Sequence, residues 1–306
     1  MQQCAKAIVL GPNQYGKAEV RVVAVDRSGP RHSLVDLNVS SSLRGDFTAA
    51  HTVGDNAHVL TTDAQKNTVF AFARDGIGTP EEFGLRLARH FAGSYDWITG
   101  ARVAVESYGW NRIAVDGRPH DHAFSRAGGD VRTAVVTVDG DEAHVVAGLT
   151  DLVVLKTTGS EFWGFPRDRY TTLADTRDRI LATAVTARWR YTSGDLDFDS
   201  CFDGVRTALL ETFASTHSLA LQQSLFAMGE AVLARDDAVA EIRLSMPNRH
   251  HFLQDLSAFG LDNTLDGPGA VVYHADDRPY GLIEGTVLRD DAAPAEIAWL
   301  GTPGFC

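Results

Sequence analysis

Alternating and periodic apolar positions in the first half of the chain predict strands on both sides of two helices. Residues 19–22 alternate polar and apolar side chains, as a half-buried strand does, and residues 33–41 return as its partner after a turn. A strand is expected to pass into a helix at Thr62 and Asp63, and this helix is expected to run to Ala71. A second helix is predicted from residues 79–82, because Thr-Pro-Glu-Glu forms a capping box before an apolar face that recurs every fourth residue. The remaining strands predicted in this half lie at residues 102–107 and 112–115.

The second half repeats this order of strands, two helices and strands. A hairpin is predicted around residues 139–141, and apolar residues at helical spacing predict helices at about 203–216 and 221–234. The closing strands are expected at residues 240–246, 270–274 and 281–288. Helices segregated from antiparallel strands are typical of an α+β fold. The linker-like Arg-Ala-Gly-Gly stretch at residues 126–129 predicts two units, residues 1–129 and 130–306.

Composition and charge narrow the possible functions. The 306 residues include 28 basic and 40 acidic side chains, a net charge of −12, which disfavours nucleic acid as a partner. No apolar run is long enough for a membrane span, and neither a signal peptide nor a C-terminal Ser-Lys-Leu signal is recognisable, so we expect a cytoplasmic protein without a membrane partner. Cys4, Cys201 and Cys306 lack metal-ligand spacing and indicate no disulfide framework. No glycine-rich phosphate loop opens a helix, which disfavours a nucleotide cofactor.

Candidate chemistry is most evident at the segment Pro-Asn-Arg-His-His-Phe, residues 247–252. Alternate residues of an extended chain point to one side, so Asn248 and His250 are expected to project together. An amide can hold a small polar molecule, and an imidazole can transfer a proton near neutral pH. A structural histidine beside an asparagine at a strand end is the ordinary alternative for this segment alone.

Several further segments, in their order along the chain, favour a functional site over the structural alternative. They are Gln-Tyr-Gly-Lys at 14–17, Thr-Thr-Asp at 61–63, Phe-Trp-Gly-Phe-Pro-Arg-Asp at 162–168, Tyr-Thr-Thr-Leu at 170–173 and Arg-Asp-Arg-Ile-Leu at 177–181. Together with residues 247–250 they resemble the urate oxidase (uricase) family, in its bacterial, actinobacterial form, over nearly the whole chain. The resemblance implies two tandem tunnel-fold (T-fold) units that assemble into a β-barrel tunnel. It also implies a homotetramer with active sites at subunit interfaces, and oxidation of urate by O2 to 5-hydroxyisourate and H2O2 without metal or other cofactor.

The resemblance also assigns roles to individual residues. It implies a proton relay of Lys17, Thr62 and His250, and an oxygen or water site at Asn248 and Thr62. The residues that it implies for substrate binding are Thr62, Asp63, Phe162, Arg179, Leu221, Gln222 and Asn248. Taken without the resemblance, each has a plainer interpretation, such as core packing for Phe162, a salt bridge from Arg179 to Asp175 or Asp178, and helix capping at Thr62 and Asp63.

Two other functions compete with urate oxidation. The first is another tunnel-fold enzyme that acts on a purine or pterin ring, of the cyclohydrolase or aldolase type, with zinc bound at His120 and His122 or at His250 and His251. No zinc motif accompanies those histidines, so we expect no metal site. The second is a purine-binding protein without catalysis. Metal content distinguishes the first alternative from urate oxidation, and peroxide production distinguishes urate oxidation from both alternatives.

Overall fold

The chain folds as an α+β protein in two compact units, in a computed structural model that describes residues 7–264 and 269–302. The first unit comprises the described residues of Met1–Gly128, with Arg132–Ala147 and Glu296–Trp299. The second comprises Gly129–Val131 and the described residues of Gly148–Ala295 and Leu300–Cys306. Among the described residues, no helix has the length and apolar character that a membrane crossing needs.

The first unit has helices between pairs of strands. Its elements are β1 (Tyr15–Asp26), β2 (Ser33–Gly45), α1 (Thr48–Val53), α2 (Thr62–Arg74), α3 (Pro80–Gly93), β3 (Ile98–Tyr108), β4 (Trp110–Val115), β5 (Arg118–Arg126), most of β6 (Val131–Asp139), the first part of β7 (Glu142–Lys156), and the short α6 (Glu296–Trp299). The strands β1, β2, β3 and β6 are neighbours in that order and pair antiparallel, while β4 and β5 form a separate hairpin.

The second unit repeats this topology. After the rest of β7 come β8 (Leu181–Tyr191), α4 (Phe198–Ser215), α5 (Leu221–Arg235), β9 (Val239–Pro247), β10 (His250–Leu253), a 3-10 turn at Ser257–Phe259, β11 (Tyr273–Asp276) and β12 (Leu282–Leu288). The sheet order is β7, β8, β9, β12, and β10 and β11 pair separately, as β4 and β5 do. The α+β class, the antiparallel sheets and the helix pair in each half are therefore confirmed.

Each core forms where the helices cover one face of a sheet. In the first unit, Phe83, Leu87 and Phe91 of α3 are completely buried, as their spacing predicted. A Cβ at Gly84 would lie 2.8 Å from the side chain of Val136, so glycine allows α3 to approach the sheet closely. In the second unit, α5 places Gly229 against Val287 in the same way. These contacts let each helix lie close to the sheet of its own unit.

The structure corrects three of the predicted elements. The segment before Thr62 is not a strand: α1 and a loop precede α2, because Gly54 adopts a left-handed conformation (φ 74°) that ends α1 after six residues. The first predicted helix continues past Ala71 to Arg74. The strand expected at 270–274 is β11, at Tyr273–Asp276, where it pairs with β10. The boundary predicted between residues 129 and 130 stays a prediction.

Candidate active site

A cavity of about 400 Å³ lies in the second unit, between the β7–β8 connection, the start of α5 and the end of β9. Six of the residues implied by the sequence resemblance line it: Phe162, Arg179, Leu221, Gln222, Asn248 and His250. A volume of this order suits a small organic ligand. The cavity therefore brings together every predicted site residue of the second half of the chain.

Arg179 is a partly buried cation that faces this cavity without a carboxylate partner among the described residues. Asp175 instead pairs with Arg167 at 3.2 Å, and Asp178 accepts hydrogen bonds from the hydroxyl of Thr158. The salt bridge considered as the plainer interpretation of Arg179 is therefore wrong. Burial lowers the pKa of Arg179, because the charged form loses hydration. A guanidinium in this setting favours a planar anion that can accept two parallel hydrogen bonds.

Phe162 provides an aromatic wall beside Arg179. Its backbone forms an isolated antiparallel bridge with Thr176, through hydrogen bonds of 2.8 and 2.9 Å. Its ring stacks on Phe165 with the centroids 5.1 Å apart, and Arg179 Cζ lies 5.3 Å from its centroid. The ring is thus held by two neighbours and also lines the cavity, where it offers an aromatic surface to a flat heterocycle.

The start of α5 supplies backbone N–H donors to the same cavity. Leu221 and Gln222 are the first two residues of α5 and both line the cavity, whereas Gln223 turns back and accepts a hydrogen bond from the N–H of Leu219. Ala220, which precedes the helix, provides no side-chain cap, and the first turn contains no acidic residue. The partial positive charge of a helix start is thereby left to a ligand.

Asn248 and His250 both line the cavity, as the alternation of the extended chain predicted. The Asn248 N–H donates to the Gly281 carbonyl oxygen at 2.8 Å, and Asn248 bridges to Thr183 of β8. His250 begins β10 and stacks on Phe252 at 5.5 Å. Burial lowers the pKa of His250, and the positive charge of Arg179 lowers it further, although Asp276 acts in the opposite direction. The imidazole is therefore held neutral near pH 7, where it can accept a proton.

The predicted residues of the first half lie in the first unit. Lys17 pairs with Ser41 across β1 and β2, immediately before a bulge in β1. Gly16 is required there, because a Cβ at this position would lie 1.7 Å from the Ser41 carbonyl oxygen. Thr62 begins α2, yet Thr61 is the capping residue, since the Thr61 side chain accepts a hydrogen bond from the Ala64 N–H. The plainer interpretation of Thr62 as the cap is therefore wrong.

Asp63 lies in the first turn of α2 and is exposed. Its side chain pairs with Lys66 and accepts a hydrogen bond from Asn67 at 3.0 Å. Hydrogen bonding and charge from Lys66 lower the pKa of Asp63, and the charge of Lys17 contributes as well. Lys17 is therefore within electrostatic reach of the start of α2. Participation of Lys17, Thr62 and Asp63 in one site with the cavity residues stays a prediction.

Several residues of the cavity wall were not predicted from the sequence. They are Leu173, Ala174, Thr176, Asp178, Ile180, His251, Phe252, Leu253, Tyr273 and Ile283. Phe252 could have been found by continuing the alternation of residues 248 and 250 by one step. Among the residues the structure describes, no three His, Cys, Asp or Glu side chains form a group that could hold a metal ion.

Comparison with known proteins gives the family of the chain. The family model described as Uricase matches residues 13–137 and 145–284. The uricase of Arthrobacter globiformis is 56% identical over 299 residues, which cover 98% of this chain and 96% of that protein. The uricase of Aspergillus flavus is 38% identical over 290 residues, 90% of this chain and 95% of that protein.

Solved structures extend the comparison to the fold. The crystal structure of the Arthrobacter globiformis uricase superposes with a TM-score of 0.89, at 56% identity, covering 95% of this chain and 98% of that one. Urate oxidase from Bacillus sp. TB-90 shares the fold with a TM-score of 0.79 at 24% identity, covering 90% and 100%. These likenesses confirm the T-fold architecture. The chain therefore belongs to the uricase family and is an enzyme of the urate oxidase type.

Proposed function

We propose that the enzyme converts urate, O2 and water into 5-hydroxyisourate and H2O2 without a metal or an organic cofactor. The observation that carries the proposal is Arg179, a partly buried cation with no carboxylate partner in the described residues, which faces a cavity beside the Phe162 ring. Urate is a flat purine that is an anion at neutral pH. An unpaired guanidinium next to an aromatic wall complements both its charge and its shape.

Substrate binding follows from the groups around the cavity. The purine stacks on Phe162, and Arg179 and Gln222 bind one edge of it through hydrogen bonds. The N–H of Leu221 at the start of α5 also donates to the anion, since no side chain caps that helix. On the opposite edge, the backbone of Thr62 and Asp63 and the Thr62 hydroxyl complete the set of contacts.

The reaction moves two electrons from urate to O2. Lys17, Thr62 and His250 remove protons from urate and deliver two protons to the reduced oxygen, which leaves as H2O2. A water molecule then adds to the oxidised purine, its hydroxyl group to carbon and its remaining proton to a ring nitrogen, and gives 5-hydroxyisourate. Asn248, with Thr62, holds O2 and afterwards the water beside the ring. His250 suits this role, because its lowered pKa keeps the imidazole neutral and able to accept a proton.

The assembly belongs to the same proposal. Lys17 and Thr62 lie in the first unit, and the binding cavity lies in the second. We propose that the enzyme is a cytoplasmic homotetramer whose T-fold sheets close into a barrel, and that each active site forms where two subunits meet. Urate and O2 are then its substrates, with neither nucleic acid nor a membrane as a partner.

The test is turnover by chelator-treated protein in air-saturated buffer. Urate absorbance and peroxide are followed together, and one peroxide should appear for each urate lost. Stoichiometric zinc, copper or iron in active protein would contradict the cofactor-free mechanism if activity were lost on its removal and restored on its return. Loss of urate without peroxide would contradict the reaction itself.

A further inference from the structure

We propose that Ser160 is a positioning residue for Arg179, and that its hydroxyl turns the guanidinium so that both terminal amino groups face the substrate. This inference rests on the proposed function, because it concerns how the cavity binds the urate anion.

Ser160 holds Arg179 at two points. The Arg179 N–H donates to the Ser160 carbonyl oxygen at 2.9 Å, and Arg179 Nε donates to Ser160 Oγ at 3.3 Å. In the described part of the chain, the Arg179 side chain makes no other hydrogen bond. With Nε engaged, the two terminal nitrogens and their four hydrogens are left for a ligand. The direction of the fork is therefore set by one buried hydroxyl.

Ser160 is itself fixed to the start of α5. Ser160 forms a parallel bridge with Ser218, in which the Glu161 N–H donates to the Ser218 carbonyl oxygen at 2.7 Å and the Ser218 N–H donates to Gly159 at 2.9 Å. The Ser218 hydroxyl accepts from Ser224 of α5 at 2.8 Å and donates to the Ala220 carbonyl oxygen. The same short ladder therefore holds Arg179 and the helix turn that carries Gln222. Rotation of Arg179 would change the distance between these two contacts with the purine.

A purely structural role for Ser160 is the competing explanation, and Ser224 offers a matched comparison for it. Ser160 lies in the ladder, the Ser224 hydroxyl donates to Ser218 of the same ladder, and the two residues are 0% and 1% exposed. Only Ser160 contacts Arg179. If packing alone matters, Ser160→Ala and Ser224→Ala should damage the protein alike. If Ser160 directs the guanidinium, only Ser160→Ala should weaken the binding of urate.

The experiment measures urate binding by calorimetry under nitrogen, where turnover cannot proceed, and kcat in air. Ser160→Ala should raise the Kd for urate about tenfold, the effect of a lost hydrogen bond to a charged group, with kcat at saturating urate changed by less than about twofold. Ser224→Ala should leave Kd within about twofold, whatever its effect on thermal stability. Added to Arg179→Ala, the Ser160 substitution should have no further effect on Kd, because both act through one contact.

Equal Kd values for Ser160→Ala and the wild type, or additive effects in the double variant, would overturn the proposal. If Ser160→Ala does not fold, Ser160→Cys keeps the volume but offers a weaker acceptor, so an unchanged Kd for that variant would also overturn it. Failure of the proposed function gives a different result, namely a wild type that binds urate but does not consume it in air.

Discussion

The helices α3 and α5 occupy the same place in the two units, yet their first turns differ. In α3 the Thr79 side chain accepts a hydrogen bond from the Glu82 N–H, while the Glu82 carboxylate accepts one from the Thr79 N–H. Glu81 and Glu82 add negative charge to that turn. In α5 the preceding residue is Ala220, with no side-chain cap and no acid in the first turn. The protein therefore satisfies one helix start itself and leaves the other open to an anion.

The arginines near these helices show the same difference. In the first unit Arg132 pairs with the completely buried Glu81 of α3, at 2.8 Å. In the second, Arg179 has no carboxylate partner in the described residues and faces a cavity instead. Arg132 and Arg179 thus differ in whether a carboxylate among the described residues compensates their charge. Uncompensated charge in a cavity is what distinguishes a binding site from a structural ion pair.

The largest effect is expected from substitution of Lys17. It tests whether the first unit supplies catalysis while the second supplies binding. Lys17→Met should lower kcat by about 10²–10⁴-fold, the usual contribution of a general base, while the Kd for urate measured under nitrogen changes little. Lys66→Met provides the control: Lys66 pairs with the exposed Asp63, and this variant should stay within a few-fold of wild-type kcat. Near-normal turnover by Lys17→Met would show that the base lies elsewhere.

Removal of the uncompensated cation should have the next largest effect. Arg179→Ala should raise the Kd for urate by about 10- to 100-fold, because the anion loses charged hydrogen bonds in a desolvated cavity. Arg167→Ala on the same segment is the matched control, since Arg167 already pairs with Asp175 and should not affect binding. Calorimetry under nitrogen measures both. An equal loss of affinity in the two variants would mean that Arg179 acts only through general charge.

Adding a cap to α5 tests the comparison of the two helix starts directly. Ala220 has an extended backbone (φ −162°, ψ 153°) that suits a capping residue. Ala220→Asp should therefore stabilise the protein by up to about 1 kcal/mol, yet raise the Kd for urate several-fold, since the carboxylate competes for the free N–H groups.

The reverse change in the first unit is the control. Thr79→Ala should cost about 0.5–2 kcal/mol of stability and leave the Kd unchanged. Unfolding in urea measures stability, and calorimetry measures Kd. Unchanged urate binding in Ala220→Asp would contradict a ligand role for the start of α5.

The smallest effect expected is a shift in the pKa of His250. Its pKa lies below the ordinary 6.5, through burial first and the charge of Arg179 second. At a pH between the folded pKa and the ordinary 6.5, the unfolded chain binds more protons than the folded chain. The contribution of His250 to stability is therefore present above about pH 6.5 and is lost as the pH falls through the folded pKa. In Arg179→Ala the pKa should move back towards 6.5. An NMR titration of the imidazole measures this, and an identical pKa in both proteins would exclude the coupling.

The sequence predicts those features that depend on local spacing. The capping box at Thr79, the apolar faces of α3 and α5, and the shared direction of Asn248 and His250 all follow from residues a few positions apart. The six-residue α1 could not be predicted, because its end depends on the left-handed conformation of Gly54. The lack of a carboxylate partner for Arg179 among the described residues could not be predicted either, since Asp175 and Asp178 are engaged by other residues.

The most direct test of this division between binding and proton transfer is co-expression of Lys17→Ala and Arg179→Ala chains, assayed at urate well below the Kd of the Arg179→Ala variant, where each has little activity alone. If sites form between subunits, a mixed pair has one site with both lesions and one with neither. Random pairing makes about half of all pairs mixed, each with one of two sites intact, so activity should recover to roughly a quarter of wild type. Purified mixed oligomers with no activity above the parent variants would contradict the account and place all the site residues within one chain.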